Sequence, residues 1–222
     1  FPYDILLVNR NGKLCELHKP LDRDCSLKMV TAQDIPGIQT YERSAVFLML
    51  KAFYDVAGRE NVERICVECS LSRALFIRAL GAFILDQALL DRVEERMIST
   101  DDAIELFKQE RLVHKAQLLS FRINSHVNVY SLDGFVDYFY GYMVPDTGYI
   151  RCFGLELFES GFVLRLPTRK DPGRLGEFKP AMKVFRELYD SNLRAEALNI
   201  SNVAELNTAV SQGRACLLYT SP

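Results

Sequence analysis

Cys66-Val67-Glu68-Cys69 sets two thiols three positions apart, the spacing of redox pairs and of half a zinc site. A redox pair needs its first thiol at a helix N-terminus, and a zinc knuckle needs a turn between the cysteines. Here the pair sits in the strand-like run "VERICVECSLSRALFIRAL" (62–80), where positions three apart point to opposite faces. No second pair or nearby histidine completes four ligands, so both thiols read as buried and structural. His18, His114 and His126 are scattered, without HxxxH or HExxH spacing. There is no GxSxG nucleophile elbow and no GxxxxGK(S/T) phosphate loop.

Two further stretches carry ligand-binding chemistry. The loop "RLPTRKDPGRLGEFK" (165–179) holds Arg165, Arg169, Lys170 and Arg174, cations suited to phosphate or RNA. A solvated charged loop is the plainer reading. The stretch "YFYGYMVPDTGYIRCF" (138–153) alternates Tyr138, Tyr140 and Tyr142 with Phe139, Gly141 and Met143. Pro145-Asp146-Thr147-Gly148 then reads as a turn into a second strand from Tyr149, so the whole is expected to be a hairpin. Alternating rings on a strand can stack bases. No cation interrupts these rings before Arg151, so the stripe reads as core.

The elements that must hold these residues follow from periodicity. Residues 4–31 read as short strands, with Asn11-Gly12 as a hairpin turn. The run 40–57 shows a wide apolar helical face ending at Gly58, and 62–80 gives one or two strands. Asp86 is placed to cap a helix through Met97, with Leu89, Leu90 and Val93 inward. "STDDAIELFKQ" predicts another helix, capped by Ser99 or Thr100. From 125 to 167 the period is two, predicting a four-strand antiparallel meander whose last hairpin turns at Glu159-Ser160-Gly161. "AMKVFRELYDSNL" and "NVAELNTAVSQ" are helical, the second with an Asn202/Glu205 capping box and a stop at Gly213. The sum is α+β: a truncated β-grasp-like start, then an antiparallel sheet with helices packed on one side.

The 222 residues are 49% hydrophobic and 25% charged, with net charge −2. Such a chain has no general pull toward nucleic acid, and Lys51 interrupts its longest apolar run, so no membrane span is expected. Six cysteines without framework spacing fit reduced thiols and a cytoplasmic location. The chain opens at Phe1 inside a strand-like pattern, and 216–222 ("CLLYTSP") resembles a translated sequencing adapter. A fragment with a foreign tail is expected.

Five blocks carry a resemblance: "GIQTYERSAVFLMLKAFYDV", "TDDAIELFKQ", "VDYFYGYMVPDTGYI", "GFVLRLPTRKDP" and "ISNVAELNTAVSQGRA". In this order they resemble the N-terminal region of bacterial uridine kinase-like nucleoside kinases of the phosphoribulokinase/uridine kinase family. That region is itself similar to threonyl-tRNA synthetase: a TGS domain, then the second additional, or editing, domain. The resemblance implies a TGS tail over 1–31, an editing-like domain over 37–190 and a helical lead-in over 191–215 to an absent P-loop kinase domain. Compared with such relatives, the chain has only Ile98 and Ser99 between the blocks ending "ERM" and beginning "TDDAIELF". One sheet edge is therefore expected to be missing or exposed.

The synthetase's editing domain carries an HxxxH pair and a Cys-x-x-x-His ahead of a Val-Pro turn. Motif matching places the first pair on Cys69 and Arg73 and the second on Phe139 and Met143, before Val144-Pro145. None of the four can do the original chemistry, so a degenerate, non-catalytic site is expected. The implied function is an accessory module, regulatory or substrate-docking, of a nucleoside kinase. ATP, Mg2+ and the nucleoside would belong to the absent domain, with no cofactor or metal in this chain and the kinase domain as partner in cis. The rivals are an aminoacyl-tRNA deacylase and an RNA-binding module using Tyr138, Tyr140, Tyr149, Arg151 and the basic loop.

Overall fold

The computed structural model describes residues 2–100, 105–109, 127–198, 200 and 203–213. Contacts divide the chain into two units, 1–107 with 128–179, and 108–127 with 180–222.

The first unit begins with β1 (Ile5–Arg10), β2 (Lys13–Glu16) and β3 (Leu27–Thr31), an antiparallel sheet in the order β2-β1-β3. Asn11 and Gly12 join the first two strands with φ of 50° and 88°, the left-handed pair that a two-residue hairpin demands. Helix α1 (Ile35–Ala57) follows, with Pro36 in its first turn, where a missing N–H costs nothing. Its N-terminus abuts β3. A Cβ on Gly37 would stand 1.9 Å from Thr31 O, so this approach is open to glycine alone. Gly58 ends the helix at φ 81°, its N–H donating to Tyr54 O.

β4 (Val62–Leu71) and β5 (Ala74–Gly81) form a hairpin through Ser72-Arg73, and α2 (Gln87–Ser99) packs on α1. Asp86 Oδ1 accepts from Leu89 N at 2.8 Å, and Leu89, Leu90, Val93 and Met97 are buried, as the periodicity predicts. Next come β6 (Glu105–Gln109), β7 (Val127–Leu132), β8 (Phe135–Tyr138), β9 (Gly154–Phe158) and β10 (Gly161–Arg165). A four-stranded sheet runs β4-β5-β10-β9 and a three-stranded one β6-β7-β8. The fold is α+β, with antiparallel strand pairs and helices covering the sheets. Phe53 of α1 stacks on Phe162 of β10 with centroids 5.7 Å apart, in one core shared by α1, α2 and the sheets.

Three sequence expectations are corrected here. The segment "STDDAIELFKQ" does not open a helix: Thr100 Oγ1 donates back to Arg96 O at 2.8 Å, closing α2, and Glu105–Gln109 is a strand. The four-strand meander is split, because β9-β10 joins β5 in one sheet while β7-β8 belongs to another. The hairpin expected over 138–153 is absent. β8 ends at Tyr138, residues 139–146 are irregular, and Thr147–Tyr149 form a single 3-10 turn. Period two in sequence marks extended backbone, not which strand it will pair with.

The second unit contains α3 (Met182–Ala197) and α4 (Val203–Ser211). Phe185 is buried and stacks on Tyr189, and Gly213 stops α4 at φ 72°. Asn202, the expected cap, and the 216–222 tail lie outside the described residues, as do His114 and His126. No helix among the described residues is long and apolar enough to cross a membrane.

Candidate functional site

The segment Phe139–Val144 leaves β8 and runs against α1 and β2 as irregular backbone, whose polar groups must find partners outside a ladder. They do so on side chains. Met143 N donates to Glu16 Oε1 at 3.0 Å, and Val144 N donates to Ser44 Oγ at 3.0 Å. Ser44 Oγ in turn donates to Thr40 O at 2.9 Å and has Met143 Sδ at 3.7 Å. Arg43 Nε donates to Tyr142 O at 3.1 Å, and its Nη2 to Thr40 Oγ1 at 3.1 Å. The Tyr130 hydroxyl lies 2.9 Å from Glu16 Oε1 and 2.8 Å from Gly141 O.

Glu16 is 2% exposed, a buried carboxylate from the N-terminal sheet that reaches across to tie down this segment. Met143 is likewise 2% exposed, and the half-buried Phe139 sets its ring edge-on to Phe47 with centroids 5.4 Å apart. No buried side-chain nitrogen or oxygen among the described residues lacks a partner. The arrangement offers no poised nucleophile: a thioether and a ring cannot shuttle protons, and the Thr40 and Ser44 hydroxyls already donate to backbone carbonyls.

The structure does not gather the four positions matched to the editing motifs. Cys69 sits on β4 opposite Phe76, beside a bulge between Val67 and Cys69 that breaks the strict alternation of faces. Arg73 is exposed on the β4-β5 turn, its guanidinium against Gly176. The groups recorded against Phe139 and Met143 come from α1 and β2 instead. The physical reason is periodicity: two residues four apart share a face on a helix, whereas Cys69 and Arg73 straddle a tight turn. The pair with helical spacing that does meet Met143's segment is Arg43 and Phe47, one on Tyr142 O and the other on the Phe139 ring. Its only trace in the sequence was "RSAVF", a cation and a ring four apart within a largely apolar helical run. Glu16 and Tyr130 had no comparable signal, since their meeting is a long-range product of the fold.

The residues considered for RNA are dispersed. Tyr140 is 48% exposed, while Tyr149 packs half-buried on the core, and the Tyr138 side chain lies outside the described residues. Arg151 donates to Gly148 O at 2.7 Å and lines a different cavity from Arg169. Arg165 is engaged by Glu156 at 3.2 Å and by Gly176 O at 2.7 Å, and Arg169, Lys170 and Arg174 are exposed. They do not form one stacking face.

Cys66 and Cys69 are half-buried rather than fully buried. Burial, then the nearby Glu68 carboxylate, pushes the Cys66 thiol up to about 11, away from nucleophilic use. Among the described residues no three His, Cys, Asp or Glu side chains gather into a metal site.

Comparison with known proteins bears on this arrangement. No family model matches the chain. The threonine–tRNA ligase of Thermotoga maritima is 25% identical over 160 residues, covering 65% of this chain and 24% of the ligase. Those of Azobacteroides pseudotrichonymphae and Porphyromonas gingivalis are 21% and 22% identical over 165 residues, each covering 68% of this chain. The chain is similar in sequence to part of threonine–tRNA ligases. It spans about a quarter of the length of the curated relatives it matches. These relatives support the synthetase-like half of the sequence resemblance and give no support to a nucleoside-kinase parent.

Proposed function

We propose that this chain is an editing-type module, akin to part of threonine–tRNA ligases, in which the hydrolytic site has been replaced by packing. The observation that carries the reading is the contact of Arg43 and Phe47, with Ser44 between them, with the Phe139–Val144 segment. An HxxxH pair needs two residues four apart on one helical face, opposite the Cys-x-x-x-His that precedes Val-Pro. Arg43 and Phe47 stand in that relation to the segment, Arg43 on Tyr142 O and Phe47 on the Phe139 ring. A guanidinium, two rings and a thioether stand where imidazoles and a thiol would be, bonding to backbone or packing ring on ring. The module then serves a larger protein by binding or spacing, with 1–31, 37–190 and 191–215 as its proposed divisions. The test is hydrolysis of a mis-aminoacylated threonine tRNA by the purified chain. The expected rate equals that without protein; turnover abolished by mutating Ser44 would overturn the reading.

A second, finer reading keeps this module as the N-terminal accessory of a nucleoside kinase. What favours it is the ordered agreement of five long blocks from 37 to 215. It is tested by the gene downstream of Ala215, where a GxxxxGK(S/T) loop is expected; a class II synthetase core there would overturn it.

A further inference from the structure

On another side of α1 lies a cavity of about 240 Å³ that the editing-type reading does not use, although motif matching sets one of its residues, Arg73, in an editing pair. Its walls come from five places: Ile38 and Glu42 of α1, Ser70 at the end of β4, Ser72 and Arg73 in the turn, Leu75 of β5, and Leu166–Arg169 after β10. Ile38 and Glu42 are one helical turn apart, about 140–180° around the axis from Phe47, so this is not the packed editing-type site seen from behind.

The lining is sorted by chemistry. Leu75, Leu166 and Ile38 supply an apolar wall, two arginines and three hydroxyls a donor-rich side, and Glu42 the only carboxylate. Arg73 and Arg169 are both exposed, and neither has a carboxylate within ion-pair distance among the described residues, whereas Arg165 nearby is engaged by Glu156. Arg73 is nonetheless held. Its carbonyl accepts from Leu166 N at 3.3 Å, and its guanidinium lies where a Cβ on Gly176 would be 2.4 Å away. Two guanidinium groups at one mouth, one of them held, beside hydroxyl donors, are the elements of an anion site, and their forks match phosphoryl oxygens. Glu42 is half-buried, and burial raises its carboxyl above the usual range. A ligand hydroxyl donating to it would relieve that desolvation.

We propose that this cavity binds a small phosphorylated sugar, its phosphate on Arg73 and Arg169 and its hydroxyls on Glu42. The volume is below that of a pocket enclosing a drug-sized ligand and suits a pentose phosphate, with any attached base outside. The occupant is a free small molecule, because the exposed aromatic residues that an RNA strand would need for stacking are not grouped around it.

The experiment is calorimetric titration of the whole chain with ribose 5-phosphate, inorganic phosphate, ribose and a short RNA oligonucleotide. Ribose 5-phosphate is expected to bind at least tenfold tighter than either phosphate or ribose. Arg73→Ala and Arg169→Ala should each weaken it about tenfold or more, the loss of one charge-assisted contact. Glu42→Gln should weaken ribose 5-phosphate while leaving inorganic phosphate unchanged. Both arginines are exposed, so circular dichroism of their variants should match the parent and separate lost binding from lost fold. Equal affinity for phosphate and ribose 5-phosphate would overturn the role of Glu42. Tighter binding of RNA, lost with the same arginines, would reassign the site to a nucleic-acid backbone. No binding at millimolar ligand would remove the proposal.

Discussion

Replacing Glu16 with alanine tests whether one buried carboxylate fastens the segment ahead of Val144-Pro145. The substitution removes the acceptor of Met143 N, leaving a buried N–H without a partner at a cost of about 1–3 kcal/mol. Tyr130 loses one acceptor but keeps Gly141 O at 2.8 Å, so its share is small. His18 and Lys19 lie 3.7 and 3.6 Å from Glu16 Oε2, and both are well exposed. Their loss adds little because solvent screens such pairs. With the space left by the truncated side chain, the total is about 2–4 kcal/mol. Glu16→Gln keeps an amide oxygen for Met143 N and should cost about 1 kcal/mol.

The chain has no tryptophan, so urea unfolding is best followed by circular dichroism together with tyrosine fluorescence. Native-state hydrogen exchange adds a local readout, since the Met143 amide should lose protection in Glu16→Ala and keep it in Glu16→Gln. A Glu16→Ala cost below roughly 0.5 kcal/mol, the level of an ordinary surface change, would refute the reasoning. So would equal costs for Ala and Gln, which would show that the acceptor is irrelevant.

Restoring Cys at 139 and His at 143 should yield no deacylation while Arg43 and Phe47 remain, and measurable turnover by that double variant would contradict the packed-site account. The Cys66 thiol and the Tyr41 phenol, pushed up mainly by burial to about 11 and about 12, ionise first in the unfolded chain. Stability should therefore fall as pH rises past about 9. Cys66→Ser and Tyr41→Phe should flatten that fall, and a Tm unchanged from pH 8 to about 11 would show that neither group is shielded. Lys51 is 2% exposed, with Asp55 Oδ2 at 2.6 Å and Asp133 Oδ2 at 3.1 Å, and Arg96 also pairs with Asp55 at 2.8 Å. Lys51→Met should cost about 1 kcal/mol or less and Lys51→Ala about 2–3, because the packing of the stem outweighs a charge that Arg96 partly replaces. Equal losses in urea titrations of the two variants would reverse that ranking. Gly161→Ala should cost more than about 2 kcal/mol, since its Cβ would stand 2.2 Å from Ile77 O and force β10 away from β5. Unchanged thermal unfolding would show that the strands can separate without loss.

What was legible in the sequence was local. Asn11-Gly12, Gly58, the Asp86 cap and Gly213 each encode their own turn or stop, because the required φ or hydrogen bond lies within a few residues. Strand partners were not legible. The alternation of 135–143 looks the same whether the next strand folds back or leaves for another sheet, and only the long-range pairing of β10 with β5 decides it. Thr100 misled for a related reason, since a hydroxyl followed by acids suits a helix start and here bonds back to Arg96 O. The candidate site was half legible. Phe139 and Met143 were found from the Val-Pro turn, but their counterparts were sought on a strand and turn when four-residue spacing calls for a helix.

The close passage of α1 over Thr31 O at Gly37, together with Glu16 under Met143, bears on how such a protein can evolve. Modules that recombine freely are joined by linkers and share little buried surface. Here the first sheet supplies an internal side chain to the next segment, and the helix that follows it has no room for any residue larger than glycine where it passes. A gene fusion that cut between residues 31 and 37 would have to replace an acceptor, a glycine and an apolar face at once. The two parts are thus expected to be inherited as one block, and partner domains gained or lost outside that block.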